Sequence, residues 1–464
     1  MKKELLLACG LVLALPGIQG FAAEKTTEKW SAAQVQADKM KAFGFDEEEG
    51  MYYEEEPNNL LTKANPIEVD YWIQGDTGGK DIDYYKFTVK SEAHYSLMGF
   101  TETGYGSTLN IRLLSADGKE AAKSKFDSED GEIGTQDIEL QITPGTYYLE
   151  VTNSNSTSEE YYLVHSLMEK YQRISGGDRY ETAVNISKEY WFEGDTDTAV
   201  LATGTSFPDA LSATPLAYRH YAPLLLTRPG ALPGVVKNEL TRLDVTKVII
   251  VGGTGAVSAN VEKELKNMGL RVSRISGADR YATSAKIADE IGTYGPVTLA
   301  TGLNFADALS IAPFAAQMEM PILLTRKDSV PGAVHTFMKN WEVDETYVIG
   351  GSSVISDASV KALPGKKRIS GSDRYATNSK IIKTFMDEND FPMMYFATGA
   401  NYPDALAGSA LAANYHSPVV LVNPAKFNSS TYQTVQTYKE QTIINYILGG
   451  ETALPQKAID QLFE

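Results

Sequence analysis

The chain has 464 residues, with 42 Lys and Arg against 60 Asp and Glu, a net charge of −18, 43% hydrophobic residues and a single cysteine. The apolar fraction excludes wholesale disorder, and a lone Cys9 excludes a disulfide scaffold. The acidic excess argues against a nucleic-acid partner, which needs a basic surface to displace counterions, and the length predicts about three or four domains.

At the start, Lys2 and Lys3 lead into an apolar run from Leu5 to Leu15 and a small-residue patch ending Gly20-Phe21-Ala22-Ala23. This is the layout of a secretory signal peptide over residues 1–23. A lipobox reading of Leu6-Leu7-Ala8-Cys9 is disfavoured, because most of the apolar run follows the cysteine. No later run reaches the roughly 18–20 apolar residues that span a bilayer. The expected product is secreted, with no membrane insertion.

Residues 24–53 read as an acidic leader containing Asp46-Glu47-Glu48-Glu49. Residues 54–168 then alternate polar and apolar positions between turn signals, as in Asp83-Tyr84-Tyr85-Lys86-Phe87-Thr88-Val89 and Gly145-Thr146-Tyr147-Tyr148-Leu149-Glu150-Val151. Short strands at such spacing predict an antiparallel β-sandwich. Together with Glu56-Pro57-Asn58-Asn59, Ala64 and Asp81-Ile82-Asp83-Tyr84, the segment resembles a bacterial pre-peptidase C-terminal domain. That resemblance implies an accessory domain, calcium-binding in some members and adhesive in others. The carboxylates around Glu54 to Glu56, Asp81 and Asp83 would hold calcium only if the fold gathers them. Sequence adjacency alone reads as solvated surface, so no cofactor is assigned.

From residue 169 three motifs recur in fixed order. The first is Arg173-Ile174-Ser175-Gly176-Gly177-Asp178-Arg179-Tyr180-Glu181-Thr182, repeated from Arg274 to Thr283 and from Arg368 to Thr377. The second is Ala-Thr-Gly at residues 202–204, 300–302 and 397–399, leading into Phe207-Pro208-Asp209-Ala210-Leu211, Phe305-Ala306-Asp307-Ala308-Leu309 and Tyr402-Pro403-Asp404-Ala405-Leu406. The third ends in paired glycines at Gly252-Gly253, Gly350-Gly351 and Gly449-Gly450. Equivalent positions lie 94 to 101 residues apart, so each repeat is domain-sized. Continuous apolar runs such as Val248-Ile249-Ile250-Val251 alternate with helical spacing, which predicts parallel strands buried on both faces in small Rossmann-like layers.

Two constellations stand out as site candidates. Ser206, Asn304 and Asn401 precede Asp209, Asp307 and Asp404 by three residues, and this spacing predicts that the aspartates close helix N-termini. Asp178, Asp279 and Asp373 cap the next helix, which leaves Arg179, Arg280 and Arg374 in its first turn against the macrodipole. Such an arginine needs a partner. It either pairs with an aspartate to hold loops or repeats together, or receives the anionic groups of a polymer. Both motifs follow strands and so share the carboxyl edge of the sheet, where open α/β folds bind ligands.

These signatures resemble the cell-wall-binding repeat type 2 family over residues 173–464. The resemblance implies three modules, 169–271, 272–366 and 367–464, in a pseudo-threefold arrangement that binds an anionic, teichoic-acid-like cell-wall polymer non-covalently. Arg179, Arg280, Arg374, Asp178, Asp279, Asp373, Asp209, Asp307 and Asp404 are the candidate polymer-binding residues. The third copy departs from the pattern: Val422-Asn423 replaces Thr227-Arg228 and Thr325-Arg326, and Glu451-Thr452-Ala453-Leu454 replaces the turn ending in Ser258 or Ser356.

Nothing marks an active site. Gly-x-Ser-x-Gly and His-Glu-x-x-His are absent, and the five histidines share no position among the repeats. The run Gly253-Thr254-Gly255-Ala256-Val257-Ser258 lacks the last glycine of a dinucleotide loop. The expected function is therefore a non-enzymatic surface protein of a Gram-positive wall. The alternative is a modifier or localisation factor for a wall hydrolase such as an amidase, or a cryptic hydrolase. Charge is unevenly spread: residues 169–464 carry 28 basic and 31 acidic side chains, whereas residues 1–168 carry 14 and 29. An anionic polymer would meet the nearly neutral segment and be repelled by the other.

Overall fold

The computed structural model describes residues 45–46, 51–76, 81–90, 92–101, 108–127, 135–154, 160–169, 171–293, 295–386, 393–439, 441–442 and 444–464. The expected signal peptide, Cys9 and most of the acidic leader lie outside them. The chain divides into two compact units, one ending at Lys170 and one running from Tyr171 to Glu464. The first is rich in sheet and the second alternates strand and helix.

In the first unit a seven-stranded sheet and a five-stranded sheet share one core. The strand Ile82–Val89 shows why. Asp83, Tyr85, Phe87 and Val89 are buried while Ile82, Lys86 and Thr88 are exposed, so the period of two directs one face inward. Its antiparallel neighbour Gly145–Asn153 sets Leu149 opposite Tyr85 and Val151 opposite Asp83. Ile73, Tyr95, Leu97 and Leu163 meet this face from the larger sheet. One consequence is unusual. The alternation that buries Tyr85 and Phe87 also buries a carboxylate, Asp83.

The second unit holds three four-stranded parallel sheets. In the first, Leu224–Thr227, Thr198–Thr203, Lys247–Val251 and Arg271–Ile275 lie side by side. The second repeats this order with Ile322–Thr325, Val297–Thr301, Thr346–Ile349 and Lys366–Ile369. Every residue of Thr198–Thr203 and Leu224–Thr227 is buried, as expected for strands covered on both faces. The fourth strand of each sheet belongs to the start of the next sequence repeat. In the third sheet, Val419–Val422, Met393–Thr398 and Ile444–Leu448 are completed by Tyr171–Ile174 from the beginning of the unit.

The same junction is built three times. The N–H groups of Gly252, Gly350 and Gly449 donate to the carbonyls of Ile275, Ile369 and Ile174, each at 2.9 Å. The carbonyls of these glycines accept from Arg274 at 2.8 Å, Arg368 at 2.6 Å and Arg173 at 2.8 Å. All three glycines have φ near +100° (106°, 108° and 96°), a conformation that other residues rarely adopt. Arg173 also donates to Leu454 O at 2.9 Å and lies 3.2 Å from Glu451.

One helix from each repeat packs against the other two: Ala213–Arg219, Ala306–Gln317 and Pro403–Asn414. They are buried almost all round, so their faces are built from Ala, Ser, Gly and Leu. Just before them Phe207, Phe305 and Tyr402 form a triangle, with ring centroids 5.8, 5.5 and 5.9 Å apart.

Replacing Arg173 should therefore loosen the closure of the whole unit. Arg173→Ala is expected to cost about 1.5–3 kcal/mol, the range for hydrogen bonds to a charged donor, measured as a shift in the urea-unfolding midpoint of this unit. An unchanged midpoint would show that the strand pairs without its arginine.

Candidate functional site

The first motif bonds mostly to itself and to the second motif. The Gly176, Gly277 and Gly371 N–H groups donate to the hydroxyls of Thr182, Thr283 and Thr377 at 2.9–3.0 Å. Asp178 accepts from the N–H groups of Tyr180 and Glu181, Asp279 from Ala282 and Asp373 from Ala376, so all three cap the helix that follows. Arg179, Arg280 and Arg374 open those helices and reach out of them. Their guanidinium groups donate to the carbonyls of Gly204, Gly302 and Gly399 at 2.5, 2.6 and 2.5 Å, which are the glycines of the Ala-Thr-Gly motif.

Two of these arginines also look across to a neighbouring repeat. Arg179 lies in the field of Asp404 and Arg374 in that of Asp307. The Arg374 guanidinium sits 5.3 Å from the centroid of Phe305, and the Tyr402 hydroxyl donates to Gly204 O at 2.9 Å. The seam between repeats is thus made of side chains from both the first and second motifs.

Asp209, Asp307 and Asp404 do not close helix ends, contrary to the capping spacing. No side-chain cap bond forms at these helices. Asn304 and Asn401 instead accept from the N–H groups of Ala306 and Tyr402, and the aspartates turn toward the third motif. A β-carbon on Gly350 would stand 2.5 Å from Asp307 Oδ2, and one on Gly252 would stand 3.0 Å from Asp209 Oδ2. The paired glycines leave room for a carboxylate, and that room takes the aspartates away from their own helices. Burial drives the Asp307 carboxyl up to about 6, with Arg374 opposing the rise. Asp404 moves upward for the same reason, opposed by Arg179.

An exposed pair lies outside this seam. Arg228 stands 5.0 Å from the centroid of the Tyr180 ring and 3.4 Å from Asp178, and Arg326 stands 4.6 Å from Tyr281 and 3.1 Å from Asp279. The two arginine side chains are 56% and 49% exposed, so each keeps part of its fork toward solvent. Sequence reasoning noted Arg228 and Arg326 only as a difference among copies; their signal was the Thr-Arg pair after a buried strand. Arg173, Arg274 and Arg368 were likewise visible as the first residue of a repeated motif, without a role. In the third copy Asn423 holds the place of Arg228, and Asn428 makes the contact to Asp373 at 3.5 Å.

A second cluster lies in the first unit. One carboxylate oxygen from each of Glu54, Glu56 and Asp83 lies within 4.8 Å of the others. Asp83 is fully buried; its Oδ2 accepts from Tyr161 at 2.8 Å, and Tyr161 meets Tyr85 at 2.7 Å. Its Oδ1 has no hydrogen-bond partner, and neither does Oδ1 of the fully buried Asn58. Asn58 is held here because its side-chain amide donates to Glu54 at 2.8 Å and its N–H to Glu56 at 2.9 Å. Burial and the adjacent Glu54 push the Asp83 carboxyl up to about 9. The solvated-surface reading therefore fails at Asp83, because strand alternation turns residue 83 toward the core. Orphaned buried oxygens beside three carboxylates suit a hard cation such as calcium.

The Asp307 carboxyl carries a pH signature. Its folded value of about 6 exceeds the ordinary 3.8, so its stabilising contribution is complete below about pH 4 and is lost as pH rises through about 6. Asp307→Asn should raise the melting temperature at pH 7 and flatten its slope between about pH 4 and pH 6, measured by calorimetry. A slope that survives the substitution would remove Asp307 as its source.

Comparison with known proteins agrees with the repeats. The model of the cell wall binding domain 2 (CWB2) family matches residues 173–262, 274–361 and 368–459, more than half of the chain. The chain is 35% identical over 291 residues to the N-acetylmuramoyl-L-alanine amidase LytC of Bacillus subtilis, covering 63% of this chain and 58% of that one. It is 36% identical over 254 residues to the amidase enhancer of the same organism, covering 54% of this chain and 34% of that one. It thus spans less than two thirds of either relative's length. Cwp8 from Clostridium difficile shares the fold, with a TM-score of 0.58 at 18% identity over 93% of this chain and 97% of that one. Among the described residues no helix is long and apolar enough to cross a membrane.

Proposed function

The chain belongs to the cell wall binding domain 2 family, and on that premise we propose that residues 169–464 hold an exported protein non-covalently on an anionic wall polymer. The three modules, 169–271, 272–366 and 367–464, form a pseudo-threefold ring of Rossmann-like layers. Residues 54–168 are displayed as an accessory or adhesive β-sandwich, as the resemblance to pre-peptidase C-terminal domains implies. The observation that carries the reading is the triplicate family match, together with exposed arginines stacked on the tyrosines of its signature.

Within that function the charged residues divide into two sets. Arg179, Arg280 and Arg374 are already engaged by carbonyls of their own repeats, and Arg179 with Asp404 and Arg374 with Asp307 couple one repeat to another. The polymer meets the outer edge, where Arg228 and Arg326 offer guanidinium forks beside Asp178 and Asp279. A phosphate or carboxylate arriving there competes for an arginine that is half in solvent, which demands little desolvation.

A second reading is favoured by two relatives, one an amidase and one an amidase enhancer. In it the protein localises or stimulates a wall hydrolase. The aligned lengths, 291 and 254 residues, are no longer than the repeat region, which supports shared anchoring and not shared chemistry. A zymogram on peptidoglycan separates the cases: clearing by the pure protein supports a hydrolase, and clearing only with added amidase supports the modifier.

Mature protein should pull down with purified walls and lose that binding once anionic polymers are stripped; equal binding to stripped walls would sink the anchoring reading. Arg228→Ala combined with Arg326→Ala should weaken binding about tenfold, because each removes a charged contact of about 1 kcal/mol or less, while the melting temperature stays put.

We also propose that Glu54, Glu56, Asp83 and the Asn58 amide oxygen take calcium in the first unit, where the cation supplies the positive charge that the buried oxygens lack. A hundredfold excess over the dissociation constant would add about 2.7 kcal/mol of stability. Calorimetry of the full chain with calcium against chelator should show this shift in wild type and not in Glu54→Gln or Asp83→Asn. A shift retained in both variants would place the ion elsewhere.

A further inference from the structure

The three repeats share a loop that runs from the end of a buried strand into a helix, and two of them lock it. Thr227 Oγ1 donates to Ala231 O at 3.3 Å and Thr325 Oγ1 to Ser329 O at 3.2 Å. From the far side, the Ser258 N–H donates to Pro229 O and the Ser356 N–H to Lys327 O, both at 2.8 Å. So held, the loop presses an apolar side chain inward: Leu232 is 5% exposed and Val330 is 9% exposed.

The third copy lacks both donors. Val422 stands where the threonines do and has no hydroxyl, and Pro455 stands where the serines do and has no N–H. Phe427, in the position of Leu232 and Val330, is 56% exposed. Between this loop and the helix Gln456–Phe463 lies a cavity of about 410 Å³, within the size range of small-molecule sites.

Its lining is selective. Phe427 supplies an aromatic face, Lys426 and Lys457 supply positive charge and Gln461 supplies an amide, while Asn423 and Asn428 line it with their side-chain oxygens accepting from the N–H groups of Ala425, Lys426, Ser430 and Thr431. No aspartate or glutamate lines it, in a protein with 60 of them. The nearby carboxylates are occupied: Glu451 accepts from the Gln456 N–H and pairs with Arg173, Asp460 accepts from the Gln456 amide, and Asp373 accepts from the Ala376 N–H and from the Asn428 amide. Neither lysine is paired with a carboxylate among the described residues. Two helices, Ser429–Tyr438 and Gln456–Phe463, begin beside the cavity, the first capped by Asn428 and the second by Glu451, so the two lysines carry its positive charge. An aromatic platform with amides and two cations matches a ring that bears hydroxyls and one anionic group.

We infer that the third repeat carries a binding site, opened by Val422, Pro455 and the outward Phe427, for a single pyranose bearing a phosphate or carboxylate. The site rests on the wall-polymer reading for the source of that sugar, and on its own lining for the chemistry. Two repeats then present exposed arginines to the polymer, and the third holds one sugar residue of it.

The test is calorimetric titration of the mature full-length protein with glucose 1-phosphate, glucuronate, glucose and glycerol 3-phosphate. At least one anionic sugar should bind, at least tenfold more tightly than glucose and than glycerol 3-phosphate. Val422→Thr with Phe427→Leu and Pro455→Ser, which restores both donors and the inward apolar side chain of the first repeat, should reduce that affinity at least tenfold. Lys426→Ala with Lys457→Ala, both on the surface, should do the same at an unchanged melting temperature, and this pair decides the matter if the loop variant misfolds. Failure of both anionic sugars to bind at millimolar concentration, or wild-type affinity in the lysine variant, would overturn the inference. Equal binding of glycerol 3-phosphate would overturn the pyranose assignment. If this inference alone fails, intact walls still pull the protein down while the titration is flat. If the wall reading fails, intact walls do not pull it down.

Discussion

A glycine that turns the backbone at positive φ, at the end of the third strand of each sheet, is the point on which the second unit depends. Gly252, Gly350 and Gly449 each do three things at once. The N–H takes the incoming strand of the next repeat, the carbonyl takes its arginine, and the absent side chain leaves space for the aspartate of the second motif. An L-residue there would meet both backbone strain and the carboxylate. No repeat can complete its own sheet, so the fold is cooperative across repeats by construction.

This arrangement explains why the motifs are mostly internal. Glycine, threonine, aspartate and arginine of the first motif satisfy one another or the Ala-Thr-Gly loop, and the tyrosine packs beneath the glycine of that loop. What remains free is a thin outer rim. A guanidinium bonded to a carbonyl inside its own repeat is fixed in place, whereas an arginine half in solvent over an aromatic ring can exchange partners at small cost. On the proposed reading, recognition and assembly draw on different arginines in the first two repeats.

Much of this was legible beforehand. Triplication, parallel strands buried on both faces, strand alternation in the first unit and the capping role of Asp178, Asp279 and Asp373 follow from local pattern and are observed, whereas the strands Phe45–Asp46 and Met51–Tyr53 of its larger sheet fall within the expected acidic leader. Contacts between elements were not legible. The spacing of Asn304 and Asp307 fits a helix start, and only the space left by Gly350 in three dimensions sends the carboxylate elsewhere. Asp83 sat in an evident alternation, but its companions Glu54 and Asn58 come from a segment whose docking no periodicity reveals. The opened loop of the third copy had a visible trace, Val422 and Pro455, whose meaning required knowing which hydrogen bonds those positions make in the other two copies.

The strand Tyr171–Ile174 gives the unit a particular order of events. Its partner is the last strand of the last repeat, and the Arg173 to Gly449 bond joins residues 276 positions apart. Such pairing raises the contact order, and loop closure must be completed before the contact stabilises anything. During synthesis the first strand emerges long before the strand it will join. Until then its edge is open, and a neighbouring chain can offer the same partner. Dilute conditions favour closure within one molecule, and crowding at the site of emergence favours exchanged dimers.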